Sequence, residues 1–181
     1  MVEWTGSSLL TFGGTESGNS GATYDPGSGN WTAWPAAPFD PPILTADGVW
    51  TGTELIVVGV SCANTATSNA DRPHCSPGTL VAAAFNPATK SWRSIDAPPD
   101  RNGKFHEGGD TGFGYAIGWD GSRAVFVVAG DIIAYEPSDD AWIQLPDRVG
   151  TVCAADGALV SAFSDDAGDK LASPISIALL T

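Results

Sequence analysis

One eight-residue pattern occurs three times in this chain, and it constrains the fold more than any other feature. Each copy has an aromatic residue, an acid or amide, proline, four mostly small or polar residues, and tryptophan: YDPGSGNW at 24–31, FNPATKSW at 85–92 and YEPSDDAW at 135–142. Proline sets φ at the second position of a tight turn, and the acid or amide before it can bond to the backbone. The pattern therefore predicts the same hairpin corner, in the same register, three times.

A larger unit surrounds each corner. Short apolar runs separated by Gly, Pro, Asp or Asn predict strands, and helical periodicity is nearly absent. Each unit reads as four strands. The first ends at Trp4, Trp50 or Trp119, before a Thr-Gly or Asp-Gly turn, and the third and fourth flank the corner. The second strands are LLTFGG, LIVVGV and AVFVVAG, whose continuous apolarity indicates burial on both faces.

Constant spacing places the corner aromatics at equivalent positions in every unit. The corner tryptophans lie 61 and then 50 residues apart, and the first interval is lengthened by the insertion that contains Cys62 and Cys75. A large aromatic repeated once per sheet is suited to hold neighbouring sheets together, burying about 150–250 Å² each. We therefore interpret six residues as structural: Tyr24, Trp31, Phe85, Trp92, Tyr135 and Trp142.

A four-stranded unit of near 50 residues, with paired glycines after its second strand, resembles the kelch motif of β-propellers. The stretch LLTFGG…ATYDPGSGNWTAWP carries the resemblance most completely, because it holds the intact pair Gly13-Gly14; the later units have Gly59-Val60 and Ala129-Gly130. The wider family includes the central propeller of galactose oxidase. The resemblance implies an all-β fold of kelch-like blades, each of four antiparallel strands.

The same resemblance implies a single, partial propeller domain over residues 1–181, with about three and three-quarter blades. The blades are expected at roughly 1–42, 43–103, 104–150 and 151–181, the last incomplete because no Trp-containing fourth strand follows ISIALLT. Closed propellers typically have four to eight blades. Three explanations stay open: a fragment of a longer propeller, a homodimer in which two chains close one ring, or a small four-bladed structure.

Composition excludes several classes of protein. An apolar content of 43% argues for a folded chain, although 22 glycines and 13 prolines make it rich in turns. A net charge of −13 with only eight Lys and Arg argues against nucleic-acid and anionic membrane surfaces. No apolar run approaches the roughly 20 residues that span a bilayer. The start, MVEWTGSSLLTFGG, has no signal-peptide pattern, so we expect a cytoplasmic protein, or a secreted one whose true amino terminus is missing.

Cysteine usage leaves two alternatives. Cys62 and Cys75 bracket a polar stretch that a disulfide could close, contributing about 3 kcal/mol, but an odd cysteine count without a signal peptide leaves the reduced form equally open. Cys153 is interpreted as a buried thiol. Cys62, His74 and Cys75 lack a fourth ligand at recognised zinc spacing, so neither a metal nor another cofactor is expected.

Candidate binding residues occur in two segments. His106, Glu107 and Asp110 precede the third blade, in a lead-in that lines the mouth or central channel of kelch-like propellers; the alternative is an exposed, glycine-rich loop. The long insertion is the second candidate contact surface, since loops of this length are uncommon unless functional or disordered. Its polar side chains could bond a sugar, or could simply be solvated: Asn64, Asn69, Arg72 and His74.

The residues that two propeller enzymes require are incomplete or scattered in this sequence. The copper site of galactose oxidase needs two histidines, two tyrosines and a cross-linked cysteine, but Tyr24 and Tyr135 belong to the corners and only Tyr115 is left. A sialidase-like enzyme needs clustered arginines to pair with a sugar carboxylate. The arginines of this chain are scattered: Arg72, Arg93, Arg101, Arg123 and Arg148.

The sequence therefore favours a non-enzymatic kelch-like propeller module that binds a protein or glycan partner through its blade loops. This step rests on family analogy, because function belongs to sites and not to folds. The alternatives are a fragment or subunit of a glycan-processing propeller enzyme, with groups such as Glu107 at the channel mouth, and a structural module that assembles with itself.

Overall fold

The computed structural model describes residues 1–14, 18–62, 65–67, 73–75, 78–100, 114–145, 151–155, 158–164 and 175–180, with the backbone alone for residues 62–75 and from 151 onward. Seventeen strands occur in this part of the chain: β1 Val2–Trp4, β2 Leu9–Phe12, β3 Gly21–Asp25, β4 Asn30–Ala33, β5 Ile43–Trp50, β6 Leu55–Cys62, β7 Thr65–Thr67, β8 Pro73–Cys75, β9 Gly78–Asn86, β10 Ser91–Ile95, β11 Gly114–Trp119, β12 Ala124–Val128, β13 Asp131–Glu136, β14 Ala141–Gln144, β15 Thr151–Ala155, β16 Ala158–Ser164 and β17 Ile175–Leu180.

These strands form successive antiparallel sheets. The first sheet has the order β1-β2-β3-β4, the second β5-β6-β9-β10 and the third β11-β12-β13-β14, while the fourth has the three strands β15-β16-β17. No residue described here is helical. The prediction of an all-β fold built from four-stranded antiparallel blades is therefore confirmed, and the described part of the fourth sheet has the three strands expected of it.

The sheets radiate from their first strands, as propeller blades do. Strand β5 lies beside β1 and β11, and β11 lies beside β15. A hydrogen bond of 2.8 Å from the backbone N–H of Ala116, on β11, to Oδ2 of Asp47, on β5, joins the second and third sheets near this centre.

The turn that joins the first two strands is built identically in three sheets. Thr5 Oγ1 accepts hydrogen bonds from the backbone N–H groups of Ser7 and Ser8, and Thr51 does the same in the second sheet. In the third sheet, Oδ1 of Asp120 accepts the equivalent hydrogen bonds from the backbone N–H groups of Ser122 and Arg123. The glycine that follows has a φ of 97°, 98° or 99°, a conformation that residues with a Cβ rarely adopt. This geometry explains the Trp-Thr-Gly and Trp-Asp-Gly patterns.

The eight-residue corners form the hairpins between the third and fourth strands. Asp25 accepts hydrogen bonds from Gly27 N and Ser28 Oγ, and Asn86 Oδ1 accepts them from Ala88 N and Thr89 N. Cross-strand register pairs the two aromatics of every corner, with ring centroids 4.9, 5.0 and 5.1 Å apart: Tyr24 with Trp31, Phe85 with Trp92 and Tyr135 with Trp142.

The apolar core lies between the sheets and not within any one of them. Strand β6 is buried on both faces: Leu55 and Val57 pack toward the first sheet, whereas Ile56 and Val58 pack toward the third. Strand β2 differs, because Leu10 and Phe12 are buried while the alternate residues are only half-buried. One face of the first sheet is thus incompletely covered.

The insertion in the second sheet contains a short hairpin. Sequence patterns predicted a polar loop between Cys62 and Cys75, but the backbone pairs β7 with β8, so that Thr65 lies opposite Cys75. The side chains of Cys62, Cys75 and Cys153 lie outside the described residues, and the disulfide stays a prediction. Among described residues, no helix has the length and apolarity required to cross a membrane.

Candidate functional site

The binding residues predicted from the sequence fall outside the part of the chain that can be described. This holds for His106, Glu107 and Asp110 before the third sheet and for Asn64, Asn69 and Arg72 in the insertion. The backbone of His74 lies in β8, opposite Ala66, but its side chain is not described. A ligand-binding role for these residues stays a prediction.

The structure instead reveals a groove between the first and second sheets, which we call the first-seam groove. It has a volume of about 440 Å³. The turn after Trp4 borders one side, and the turn after Trp50 and the corner of the second sheet border the other. The lining residues are Thr5, Ser7, Ser8, Leu10, Thr23, Thr32, Trp34, Trp50, Gly52, Pro87, Ala88 and Lys90.

The two walls of the first-seam groove differ in chemistry. The wall from the first sheet carries five hydroxyl side chains, and the opposite wall carries the indole of Trp50 and the ammonium group of Lys90. Within the described residues, the Oγ atoms of Ser8 and Thr32 make no hydrogen bond to protein, so both can bond a ligand. A surface of hydroxyls beside an indole, with no carboxylate among its lining residues, suits a neutral, hydroxyl-rich ligand.

Trp34 gives the groove a rigid floor. Its indole stacks on Phe85 of the second sheet, with ring centroids 4.0 Å apart. Its Nε1 donates a hydrogen bond of 2.8 Å to Thr23 Oγ1 on the first sheet. Trp34 is therefore held from both sheets, and the groove is preformed.

A polar cluster, the Arg93 clamp, joins the second and third sheets. Arg93 Nη2 forms an ion pair of 3.0 Å with Glu54, and Nη1 forms one of 2.8 Å with Asp140. Nη1 also donates a hydrogen bond of 3.1 Å to the hydroxyl of Tyr135, which itself donates to Asp140. The clamp thus ties the outer strand of one blade to the corner of the next.

The clamp shifts the ionisation of its members. Burial, followed by the hydrogen bond to Asp140, raises the pKa of Tyr135 to about 12. The hydrogen bond from Tyr135 and the charge of Arg93 lower the pKa of Asp140. Burial by itself would lower the pKa of the Arg93 guanidinium, because it disfavours the charged form. The hydrogen bonds of Arg93 with Tyr135 and Glu54 outweigh burial, so the pKa is raised. Near neutral pH the phenol of Tyr135 is therefore neutral, Arg93 is a cation and Asp140 is an anion.

Both arginines in the described part of the chain form ion pairs with carboxylates. Arg123 Nε lies 2.6 Å from Oδ2 of the buried Asp120, and Arg93 belongs to the clamp. Neither is free to pair with a sugar carboxylate. Arg72, Arg101 and Arg148 lie outside the described residues.

A pair of carboxyl groups lies on the first strands, nearest the centre. Burial, and then the nearby charge of Asp47, raise the pKa of Glu3. Asp47 is anchored by the N–H groups of Gly48 and Ala116. Within the portion of the chain described, no group of three or more His, Cys, Asp or Glu side chains is arranged to hold a metal ion.

Sequence reasoning missed the first-seam groove. Ser8, Thr23 and Thr32 are ordinary polar residues of a strand or turn, and only the approach of the second sheet turns them into one wall. Trp34 gave a weak signal, because it is a second tryptophan three residues beyond the corner of the first unit.

The sequence matches no protein-family model and no curated protein. Its fold is similar to that in the crystal structure of Porphyromonas gingivalis dipeptidyl peptidase 4, with a TM-score of 0.49 and 12% sequence identity. That similarity covers 95% of this chain and 31% of the other, so the chain spans less than a third of that protein's length.

Proposed function

We propose that the chain is a kelch-like propeller module that binds a protein or glycan partner, without catalysis, through the turns and loops of its blades. The observation that carries the proposal is the first-seam groove, which has about 440 Å³ of space and two walls of complementary character. Five hydroxyl side chains and an indole favour a glycan over a charged peptide at this position.

The experiment is a binding assay of the full chain against an array of neutral oligosaccharides, followed by calorimetric titration of the best binder. Thr32→Val removes one ligand-facing hydroxyl while keeping the shape of the side chain. Losing a hydrogen bond at a preformed site is expected to weaken binding about 5- to 10-fold. Thr45→Val is the matched control, because Thr45 is also an exposed strand threonine but lies outside the groove.

A result would count against the glycan proposal if no oligosaccharide bound, or if Thr32→Val and Thr45→Val bound equally well. Binding of a neutral sugar that is weakened only by Thr32→Val would support it. Circular dichroism of both variants would ensure that the sheets are intact in each comparison.

A glycan-processing enzyme, or a subunit of one, is a second candidate, and the Glu3–Asp47 pair favours it. Burial, and then the charge of Asp47, raise the pKa of Glu3, and a carboxyl with a raised pKa near a second carboxyl is the arrangement that glycoside hydrolysis uses. Turnover of aryl glycosides that is lost in Glu3→Gln and retained in Glu136→Gln would support this candidate. Absence of turnover by the wild-type chain would exclude it for the chain alone.

A further inference from the structure

Two threonines lie side by side on the wall that the first sheet contributes to the first-seam groove. Thr23 is on β3 and Thr32 is on β4, and the register pairs them directly across the two strands. Residues paired in this way have Cβ atoms about 4.5–5.5 Å apart and point to the same face of the sheet. Both line the groove, so two hydroxyl groups are presented to it together.

The hydroxyl of Thr23 is fixed by a neighbouring indole. Trp34 Nε1 donates a hydrogen bond of 2.8 Å to Thr23 Oγ1, and the ring of Trp34 is itself stacked on Phe85. A hydroxyl has one proton to donate and two lone pairs that accept. The bond from Trp34 occupies one lone pair, and among the described residues no group accepts the proton. Thr23 is therefore a positioned hydrogen-bond donor.

The hydroxyl of Thr32 can both donate and accept. In the part of the chain that the structure describes, Thr32 Oγ1 has no hydrogen-bond partner, and it is not bonded to Thr23 Oγ1 either. Thr32 is exposed, whereas Thr23 is half-buried. The pair thus offers one fixed donor and one adaptable hydroxyl, on two adjacent strands.

Two neighbouring hydroxyl groups of a sugar match this pair of threonines. Vicinal hydroxyls lie on adjacent carbon atoms of the ring, and each can donate one hydrogen bond and accept others. One of them can accept from Thr23 while the other bonds to Thr32, so a single diol engages both side chains. A ligand whose hydroxyl groups are isolated from one another engages only one threonine at a time.

The opposite wall favours a ring over a flexible chain. The indole of Trp50 lines this wall and packs, partly buried, against the apolar cluster between the first two sheets. An indole held in this way is a rigid apolar surface. The C–H groups on the face of a pyranose suit such a surface, while the hydroxyls project from the edge of the ring. The groove volume of about 440 Å³ is within the range of small-molecule sites.

We propose that Thr23 and Thr32 bind a vicinal diol of a neutral pyranose, and that this diol is the part of the glycan that the first-seam groove recognises. The inference rests on the glycan-binding function proposed above and adds which chemical group of the sugar determines specificity. Thr23 donates to one oxygen of the diol, and Thr32 bonds to the other. Sugars that are deoxygenated or substituted at either position are therefore poor ligands.

The test measures the binding of cellobiose, lactose, maltose and mannobiose to the full chain by calorimetric titration. For the tightest binder, a series of analogues is then prepared, each lacking one hydroxyl group of either ring. Removing either hydroxyl of one adjacent pair should weaken binding about 5- to 10-fold, because each removal loses one hydrogen bond at a preformed site.

The variant Thr32→Val assigns the two hydroxyls of the diol. In this variant, loss of the sugar hydroxyl that bonds to Thr32 should cost nothing further, whereas loss of the adjacent hydroxyl should still weaken binding about 5- to 10-fold. Thr45→Val, outside the groove, should retain both losses. Thr23 is not replaced by valine, because that change would also remove the acceptor of the Trp34 N–H.

Failure of the diol inference can be told apart from failure of the glycan-binding proposal. The inference alone is wrong if a disaccharide binds but no adjacent pair of hydroxyls is needed, or if both losses persist in Thr32→Val. It is also wrong if none of the four disaccharides binds. The glycan-binding proposal fails with it only if, in addition, no member of the neutral oligosaccharide array binds.

Discussion

The guanidinium of Arg93 donates a hydrogen bond of 3.1 Å to the phenolic oxygen of Tyr135, and so connects the outer strand of the second sheet with the corner of the third. The two residues are 42 positions apart in the chain. The same guanidinium holds Glu54 and Asp140, one from each sheet. A polar tie of this kind supplements the apolar contacts between neighbouring blades.

Replacing Arg93 with methionine should lower the free energy of unfolding by about 1–2 kcal/mol, because Glu54 and Asp140 lose their shared cation. The loss of free energy is no larger because 40% of the Arg93 side chain is exposed, and water screens its ion pairs. Urea denaturation would measure the change. Lys90→Met is the control, because it removes an exposed cation without a described ion pair; it should change the free energy of unfolding by less than about 0.5 kcal/mol. An equal effect of both substitutions would contradict the role of the clamp.

Asp120→Ala should destabilise the chain by about 3 kcal/mol, because it removes both the acceptor of the turn and the partner of the partly buried Arg123. Asp120→Thr should cost less, since Thr5 and Thr51 build the same turn in the other sheets. Chemical denaturation would compare the two variants. If they were equally unstable, the turn would contribute nothing beyond the ion pair.

The advantage of wild-type Asp120 over Asp120→Thr should depend on pH. Burial opposes ionisation of Asp120, but hydrogen bonds from Ser122 and Arg123 outweigh it and lower the pKa. A lowered carboxyl pKa stabilises the fold above the ordinary aspartate pKa, and the stabilisation disappears as pH falls through the folded value. The difference in melting temperature should therefore be full at neutral pH and shrink below about pH 4.

Glu3→Gln should raise the melting temperature at neutral pH. Burial and the charge of Asp47 raise the pKa of Glu3, so the ionised carboxylate destabilises the folded state. This cost is full above the raised pKa and absent below the ordinary glutamate value, which means that wild type and Glu3→Gln should melt together near pH 4. Glu136→Gln, on the third-sheet corner, should not reproduce the effect; a pH-independent gain would contradict this explanation.

Lys90→Gly should stabilise the second corner by about 0.5–1 kcal/mol. Lys90 has a φ of 54°, and the equivalent position is Gly29 in the first corner and Asp140, with a φ of 52°, in the third. Glycine occupies this left-handed region without steric strain. Thermal melting of Lys90→Gly beside the reciprocal Gly29→Ala would check this, and stability changes of the same sign would refute it.

Local residue patterns predicted the strands and their order well. The corner needs a proline turn, an acid or amide that bonds to the backbone, and two aromatics seven positions apart, and each requirement involves residues close together in the chain. Register follows from such turns, which is why Tyr135 and Trp142 could be paired in advance. The predicted ligand residues, including His106 and Glu107, lie outside the described part, so that prediction is neither supported nor contradicted.

The internal construction of each blade follows from the amino-acid sequence alone, because hairpin turns and strand patterns act over a few residues. Which face of each sheet is covered depends instead on how the sheets pack against one another. The bond from Trp92 to Pro35, the ties of Arg93 to Glu54 and Asp140, and the first-seam groove all join residues from different sheets. Such contacts depend on how rigid sheets are rotated against one another, and no short stretch of sequence encodes that rotation.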